Sequence, residues 1–370
     1  MRSAPSPLGP LTRLAAAAVV LTVALSLLAG CGYGKNRPTT AGAAGPPARG
    51  PQLSVDTVRI GYLPNLTHAT ALVGLERGFF ARELKGTKVA PRTFNAGPTV
   101  IEALNAGSVD IAWTGPSPAI NGYLRSGGDA LRIVAGSASG GVRLVVNPDR
   151  IRSLNEVKGK RIATPQLGNT QDVAFLHWAA SRGWKIDPTT GRGDVSLVRT
   201  DNRVTVDAFR SGSLDGAWVP EPTASILVAQ GARVLLDEAD LWPGRRFVTT
   251  NVIVSPAFLA KHPDVVDAVV RASVAANTWI ADRPREARTA AGAHLKRLTG
   301  QALPAGVLDA AWRGITFTND PLAPTLRAQA RHAARLGLLE SADLTGIYDL
   351  GPLNRSLRSA GLPLITQSAP

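Results

Sequence analysis

Three stretches of the sequence place short polar side chains where a strand gives way to a helix: Asn65/Thr67/His68, Thr114/Ser117 and Asn169/Thr170. The first turn of a helix has backbone N–H groups without an intrahelical partner, and it carries the positive end of the helix dipole. Such a terminus holds an anion without lysine or arginine. Hydroxyl and amide side chains add neutral donors that suit a carboxylate, nitrate or sulfonate. The same residue types also cap their own helices, and one residue serves both ends when its N–H faces the ligand. The chemistry on offer is recognition of a small anion. His68 is the histidine of this set; it adds a donor and, at an ordinary pKa, a charge that pH would tune.

Other residues extend the candidate site. Trp218, followed by Val-Pro-Glu221, reads as a wall on which an indole covers the apolar part of an organic ligand, or as core packing. Glu221 suits an amine better than an anion. Trp113 either narrows the same cleft or packs inside. The run Ser137-Ala-Ser-Gly-Gly141 offers Ser139 and Gly140 to a ligand, and its glycine pair suits a hinge or a close approach. Asn251 sits where the chain returns and is expected to line the cleft.

Bond-making chemistry finds little support. There is no His-Glu-x-x-His, no Walker loop and no Gly-x-Ser-x-Gly; Gly136–Gly140 has alanine at its centre. The single cysteine, Cys31, leaves no disulfide and no thiolate metal site in the folded part. No cofactor, metal or catalytic residue is expected. The formal net charge is +14, but its basic residues are scattered, without a Lys/Arg block interleaved with aromatics, so nucleic acid is not an expected partner. Arg192-Gly193-Asp194 reads as a chance tripeptide in a turn.

The elements that must position these residues alternate. Val58–Tyr62, Asp110–Trp113, Arg132–Ala135, Val142–Val146 and Arg161–Thr164 read as strands; helices are expected over Thr67–Arg77, from Ser117, and over Asn169–Arg182. The stretch from Pro256 to Gly361 is mostly helical in pattern. This alternation predicts an α/β chain with mainly parallel sheets covered on both faces. An internal repeat sharpens it. Glu102–Trp113 and Asp207–Trp218 align at one constant offset, with Ala103/Ala208, Gly107/Gly212, Ser108/Ser213, Asp110/Asp215, Ala112/Ala217 and Trp113/Trp218 identical. A weaker echo relates Val58–Gly61 to Lys160–Ala163. In each unit an apolar helix face ends at a glycine and the chain turns into a buried strand. Two such units predict two lobes with the carboxyl ends of their strands facing a shared cleft, where open α/β sheets bind ligands.

The first segment is not fold. Arg2 and Arg13 precede an uncharged, mostly apolar run, Leu14–Leu28, shorter than the ~20 residues of a comfortable membrane span. It ends Leu28-Ala-Gly-Cys31, which resembles the lipobox of bacterial lipoproteins and implies cleavage before Cys31 and acylation there. The aperiodic Gly/Pro/Ala-rich stretch that follows reads as a tether. The expected organisation is residues 1–30 as signal peptide, 31–54 as tether, 55–141 with 250–370 as the first lobe, and 142–249 as the second.

The motifs taken together resemble the sulfonate/nitrate/taurine family of periplasmic binding proteins. The resemblance rests on Gly61–Thr70 with Gly74–Phe80, Ala106–Ala119, Leu154–Thr164, Gly212–Pro222 and His262–Val266, while Ile315–Pro321 and Gly346–Asn354 fit its aliphatic-sulfonate branch. It covers nearly all of Val55–Leu362. It implies a type II periplasmic-binding fold, a small anionic ligand held between the lobes, and delivery to an ABC permease and its ATPase by a monomer anchored to the outer face of the membrane. A thiamine-precursor (pyrimidine) binding or synthesis-type protein of the same fold is the alternative.

Overall fold

A computed structural model describes residues 53–366; the predicted signal peptide, Cys31 and nearly all of the tether lie outside them. The strands are β1 (Thr57–Tyr62), β2 (Lys88–Thr93), β3 (Ile111–Thr114), β4 (Arg132–Gly140), β5 (Val142–Val146), β6 (Arg161–Thr164), β7 (Ser196–Arg199), β8 (Gly216–Pro220), β9 (Arg233–Asp237), β10 (Val248–Val254) and β11 (Ile315–Phe317). They form two sheets, ordered β11-β4-β10-β3-β1-β2 and β7-β6-β8-β5-β9. The chain passes from the first sheet to the second between Gly140 and Val142 and returns between β9 and β10.

The sheets are mixed rather than mainly parallel. β1 runs parallel to β2 and β3, and β6 runs parallel to β7 and β8. The strands next to each crossing are antiparallel to their neighbours: β10 to β3 and β4, β11 to β4, and β5 to β8 and β9. A chain that leaves one sheet at its cleft end enters the next from that end, so it runs against the strands delivered there by strand–helix units. Gly140 (φ 77°) and Gly141 (φ 73°) make that passage in a conformation that disfavours a side chain. Of the run Ser137–Gly141, Ser137–Gly140 end β4 and Gly141 is the crossing itself.

The two repeats fold identically at their joints. Ser108 and Val109 N–H both donate to Ala103 O, and Ser213 and Leu214 N–H to Ala208 O. Gly107 (φ 64°) and Gly212 (φ 74°) turn each helix end towards its strand. The shared aspartates are clamps. Asp110 Oδ2 accepts from Arg59 N (2.7 Å) and Nε (3.0 Å); Asp215 Oδ2 accepts from Arg161 N (2.9 Å) and Nε (3.1 Å). Each therefore fixes the register of the strand it precedes, β3 against β1 and β8 against β6. That register matches: Ile60 and Gly61 lie beside Ile111 and Ala112, and Ile162 and Ala163 beside Gly216 and Ala217.

Helices cover both faces of both sheets. On one face of the first sheet Ile60, Trp113 and Val252 pack on the helices Ala69–Glu76 and Pro263–Asp282; on the other, Ala112 and Ile253 pack on Pro116–Arg125 and Ala323–Arg335. The second sheet is sandwiched between Thr170–Ser181 and the pair Asn202–Arg210 and Thr223–Ala229. The helix Ala323–Arg335 contacts both Pro116–Arg125 and Thr170–Ser181. It thus braces the helices that bring one candidate turn from each lobe. No helix among the described residues is long and apolar enough to cross a membrane.

Candidate functional site

The carboxyl ends of β1, β3, β6, β8 and the start of β10 meet around a tight pocket of about 20 Å³. Its lining is Leu63, Asn65, Thr67, His68, Gly115, Asn169, Thr170, Gln171, Asn202, Pro220 and Thr249. Of the expected residues, Asn65, Thr67, His68, Asn169 and Thr170 are therefore brought together from both lobes. None of the lining side chains is a lysine, arginine or carboxylate.

The first turn is shorter in its helical start than expected. A single 3₁₀ turn, Leu66–His68, precedes the helix Ala69–Glu76. Thr67 Oγ1 donates to Asn65 Oδ1 at 2.7 Å, which steadies the turn. His68 is buried, and its Nδ1 accepts from Leu63 N at 3.3 Å. Burial lowers its pKa to about 3, so near neutral pH the ring is uncharged, with its proton on Nε2. The expected pH-tuned charge is therefore absent, because the ring lies under the turn and not on a helix surface.

The opposing turn is built on Thr170–Ser181. Asn169 Oδ1 accepts from Thr170 N at 2.9 Å, so Asn169 is a genuine cap. Buried Asp172 holds the loop behind it, accepting from Thr164 Oγ1 at 2.9 Å, Gly168 N at 3.0 Å and Arg199 Nε at 2.8 Å. Thr170 Oγ1 stays without a partner and faces Gly115 of the first lobe; a Cβ on Gly115 would lie 2.4 Å from it.

In and beside the pocket several further polar atoms are buried and unpartnered. They are Thr114 Oγ1, Ser117 Oγ, Asn202 Oδ1 and both amide atoms of Asn251. Thr114 and Asn251 stand opposite each other across β3 and β10. Such groups normally find hydrogen bonds, and each one left unmade costs about 1–3 kcal/mol. Their concentration beside two helix starts marks a place prepared for polar contacts.

The remaining expectations land elsewhere. Trp218 is fully buried in the second lobe; its Nε1 donates to Glu238 Oε2 at 2.7 Å and its ring packs on Phe175 and Trp178. It sits two residues inside the strand end, over the core of the sheet and away from the cleft. Trp113 likewise packs edge-on against Phe80. Glu221 is fully buried and pairs with Arg143 at 2.7 Å, so it offers nothing to a ligand amine. Ser139 Oγ accepts from Phe247 N, and Gly140 O accepts from Thr249 Oγ1; both serve the crossing. Sequence reasoning missed Leu63, Gly115, Gln171, Asn202, Pro220 and Thr249. Asn202 follows Asp201, whose side chain caps the helix Asn202–Arg210, and that Asp-Asn pair after a β-run was the available signal.

Comparison with known proteins fits this geometry. The model of the NMT1-like family matches residues 52–295, well over half of the chain. The chain belongs to the NMT1-like family. Among its relatives, a putative binding protein of Brucella abortus (strain 2308) is 28% identical over 217 residues, 58% of this chain and 63% of its own. The taurine-binding periplasmic protein of Escherichia coli (strain K12) is 29% identical over 195 residues, 53% of this chain and 58% of its own. The chain thus spans less than two thirds of these relatives' length. The alkanesulfonate-binding protein SsuA from Xanthomonas axonopodis pv. citri, bound to MOPS, superposes with a TM-score of 0.65 at 22% identity, over 78% of this chain and 96% of its own. This NMT1-like chain therefore has the periplasmic-binding-protein fold that its motifs led one to expect.

Proposed function

We propose that this protein is the extracytoplasmic solute-binding component of an ABC importer, and that it takes an aliphatic sulfonate or a similar small anion between its lobes. The observation that carries the reading is the set of buried hydroxyl and amide groups able to donate, Thr114, Ser117, Thr170 and Asn251, without partners in and beside the pocket. A sulfonate is ionised across the physiological range and spreads its charge over three oxygens. Donors from several segments and two helix starts satisfy it without a countercharge. Leu63 and Pro220 offer apolar surface to an organic tail. The pocket is too tight for such a ligand to enter with the lobes in contact, so capture requires them to part and close again. Relatives and neighbours named for taurine and alkanesulfonate binding support the class.

The anchor belongs to the same proposal. Acylation at Cys31, outside the described residues, would keep the protein on the outer face of the membrane beside its permease and ATPase. A second reading, a neutral pyrimidine of the thiamine-precursor kind, is favoured by one observation: the lining has no positive side chain. Calorimetric titration with an alkanesulfonate, taurine, nitrate, bicarbonate and an aminopyrimidine separates the two. Binding of the pyrimidine alone sinks the anion reading.

A further inference from the structure

We propose that Glu221 is a positioning residue that clasps the two lobes beneath the pocket, acting through its pair with Arg143. The inference rests on the solute-binding reading and adds what keeps the ligand-bearing turns together. The Glu221 carboxylate is fully buried. One oxygen accepts from Arg143 Nη1 at 2.7 Å and the other from Ser225 N at 3.0 Å. Arg143 also reaches Asp237 Oδ2 at 3.4 Å. Arg143 is the second residue of β5, just past the crossing. The side chain is therefore locked onto the strand that leaves the hinge.

The peptide of the same residue faces the other lobe. Glu221 N donates to Gly141 O at 2.8 Å, at the crossing itself, and Glu221 O accepts from Leu66 N at 3.0 Å. Leu66 opens the turn that carries Thr67 and His68. The neighbouring Pro220 lines the pocket. Space is close throughout: a Cβ on Gly141 would lie 3.2 Å from Thr67 Cγ2. One residue thus joins the hinge strand, the second-lobe wall and the first-lobe turn. Removing the carboxylate charge frees the Glu221 carbonyl to drift from Leu66 N, and the pocket loosens.

An ion pair that merely stabilises the second lobe would behave differently, and hydrogen exchange tells them apart. In Glu221→Gln, exchange of the Leu66 amide is expected to accelerate about tenfold, the value of one lost hydrogen bond, while the amides of β6 keep their protection. Binding of an alkanesulfonate is expected to weaken by about the same factor, through faster release. Arg143→Lys, which keeps the charge but shortens the fork, should shift Leu66 in the same direction and is the variant to read if Glu221→Gln does not fold. Unchanged Leu66 exchange overturns the proposal, as does parallel acceleration of β6 or failure of both variants to fold. If no ligand of the panel binds the unmodified protein, the solute-binding reading falls, and Leu66 exchange still decides the role of Glu221.

Discussion

Gly115→Ala should damage binding and leave the fold intact, because the clash it creates lies across the interlobe contact. The backbone at Gly115 is extended (φ −69°, ψ 157°), a conformation alanine adopts freely. Within the first lobe the added methyl group is therefore tolerated. Across the cleft it would stand 2.4 Å from Thr170 Oγ1, well inside van der Waals contact, but 3.5 Å from Thr170 Cβ, which is ordinary. Two routes relieve it. Thr170 can rotate to aim its hydrogen at the methyl group, which takes the hydroxyl from its place and loses about 1 kcal/mol of ligand hydrogen bonding. Otherwise the lobes stop short of contact, an overpacking penalty of about 1–3 kcal/mol. Affinity for an alkanesulfonate, measured by calorimetry, should fall about 5- to 150-fold, with the melting temperature of the ligand-free protein nearly unchanged. Thr170→Ala alone should lose about fivefold, and Gly115→Ala on that background should lose almost nothing further, since the clashing atom is gone. Wild-type affinity in Gly115→Ala, or additive losses in the double variant, would refute the interlobe contact.

Three further outcomes follow from the same structure. Because burial leaves His68 neutral down to about pH 3, affinity for a sulfonate should not rise as pH falls from 8 to 5.5; a rise would mean that the ring charges in the site. Melting temperature should fall with acidification below the ordinary histidine range near 6.5. His332 stacks on His177 at 3.5 Å between the helices Ala323–Arg335 and Thr170–Ser181. Burial, together with His177, Arg335 and Arg331, lowers His332 to about 4, and burial, together with Arg335, lowers His177. The unfolded chain then binds more protons between about pH 6.5 and 4, so stability is lost through that window. His332→Phe, which keeps a ring against His177 and Trp242, should flatten the slope; an unaltered slope would show that other groups set it. Asp215→Asn should lower stability by about 1–2 kcal/mol in urea unfolding, since it weakens bonds from Arg161 and Arg150; an effect within error would show that the clamp is dispensable.

Much of the architecture was legible because it is written twice. The glycine caps and the aspartates stood out as identical residues at one offset, and even the clamp partners, Arg59 and Arg161, lay in the weaker echo. Strand direction was not legible from local pattern. It depends on where the chain crosses between sheets, and β10 or β5 looks like any buried strand. The helix starts were legible for the usual reason: Asn169 is a cap whichever way the rest of the chain folds. Trp218 and Glu221 were misplaced because proximity in sequence to a cleft-facing strand end does not say which side chains reach the cleft and which are held in the core. In β8, Trp218 and Pro220 share a face, but Trp218 lies inside the sheet over the core while the strand's last residue, Pro220, reaches the pocket.

The pocket itself follows from the repeat more closely than its residues suggested. Matching the registers of the two sheets places Thr67 and His68 at the positions of Asn169 and Thr170, and Gly115 at the position of Pro220. All six line the pocket. The site is thus the meeting point of two copies of one strand-end construction, and what distinguishes the copies decides what fits. Glycine opposite Thr170 lets the lobes approach to contact, and proline at the equivalent place presents a rigid apolar wall. His68 gives a buried neutral donor where Thr170 gives a hydroxyl. Residues outside the repeat, Asn202 and Gln171, complete one side only. A ligand held there would meet donors from both lobes and apolar surface from Leu63 of the first and Pro220 of the second, which is the polarity that the proposed ligand, with one anionic and one organic end, requires.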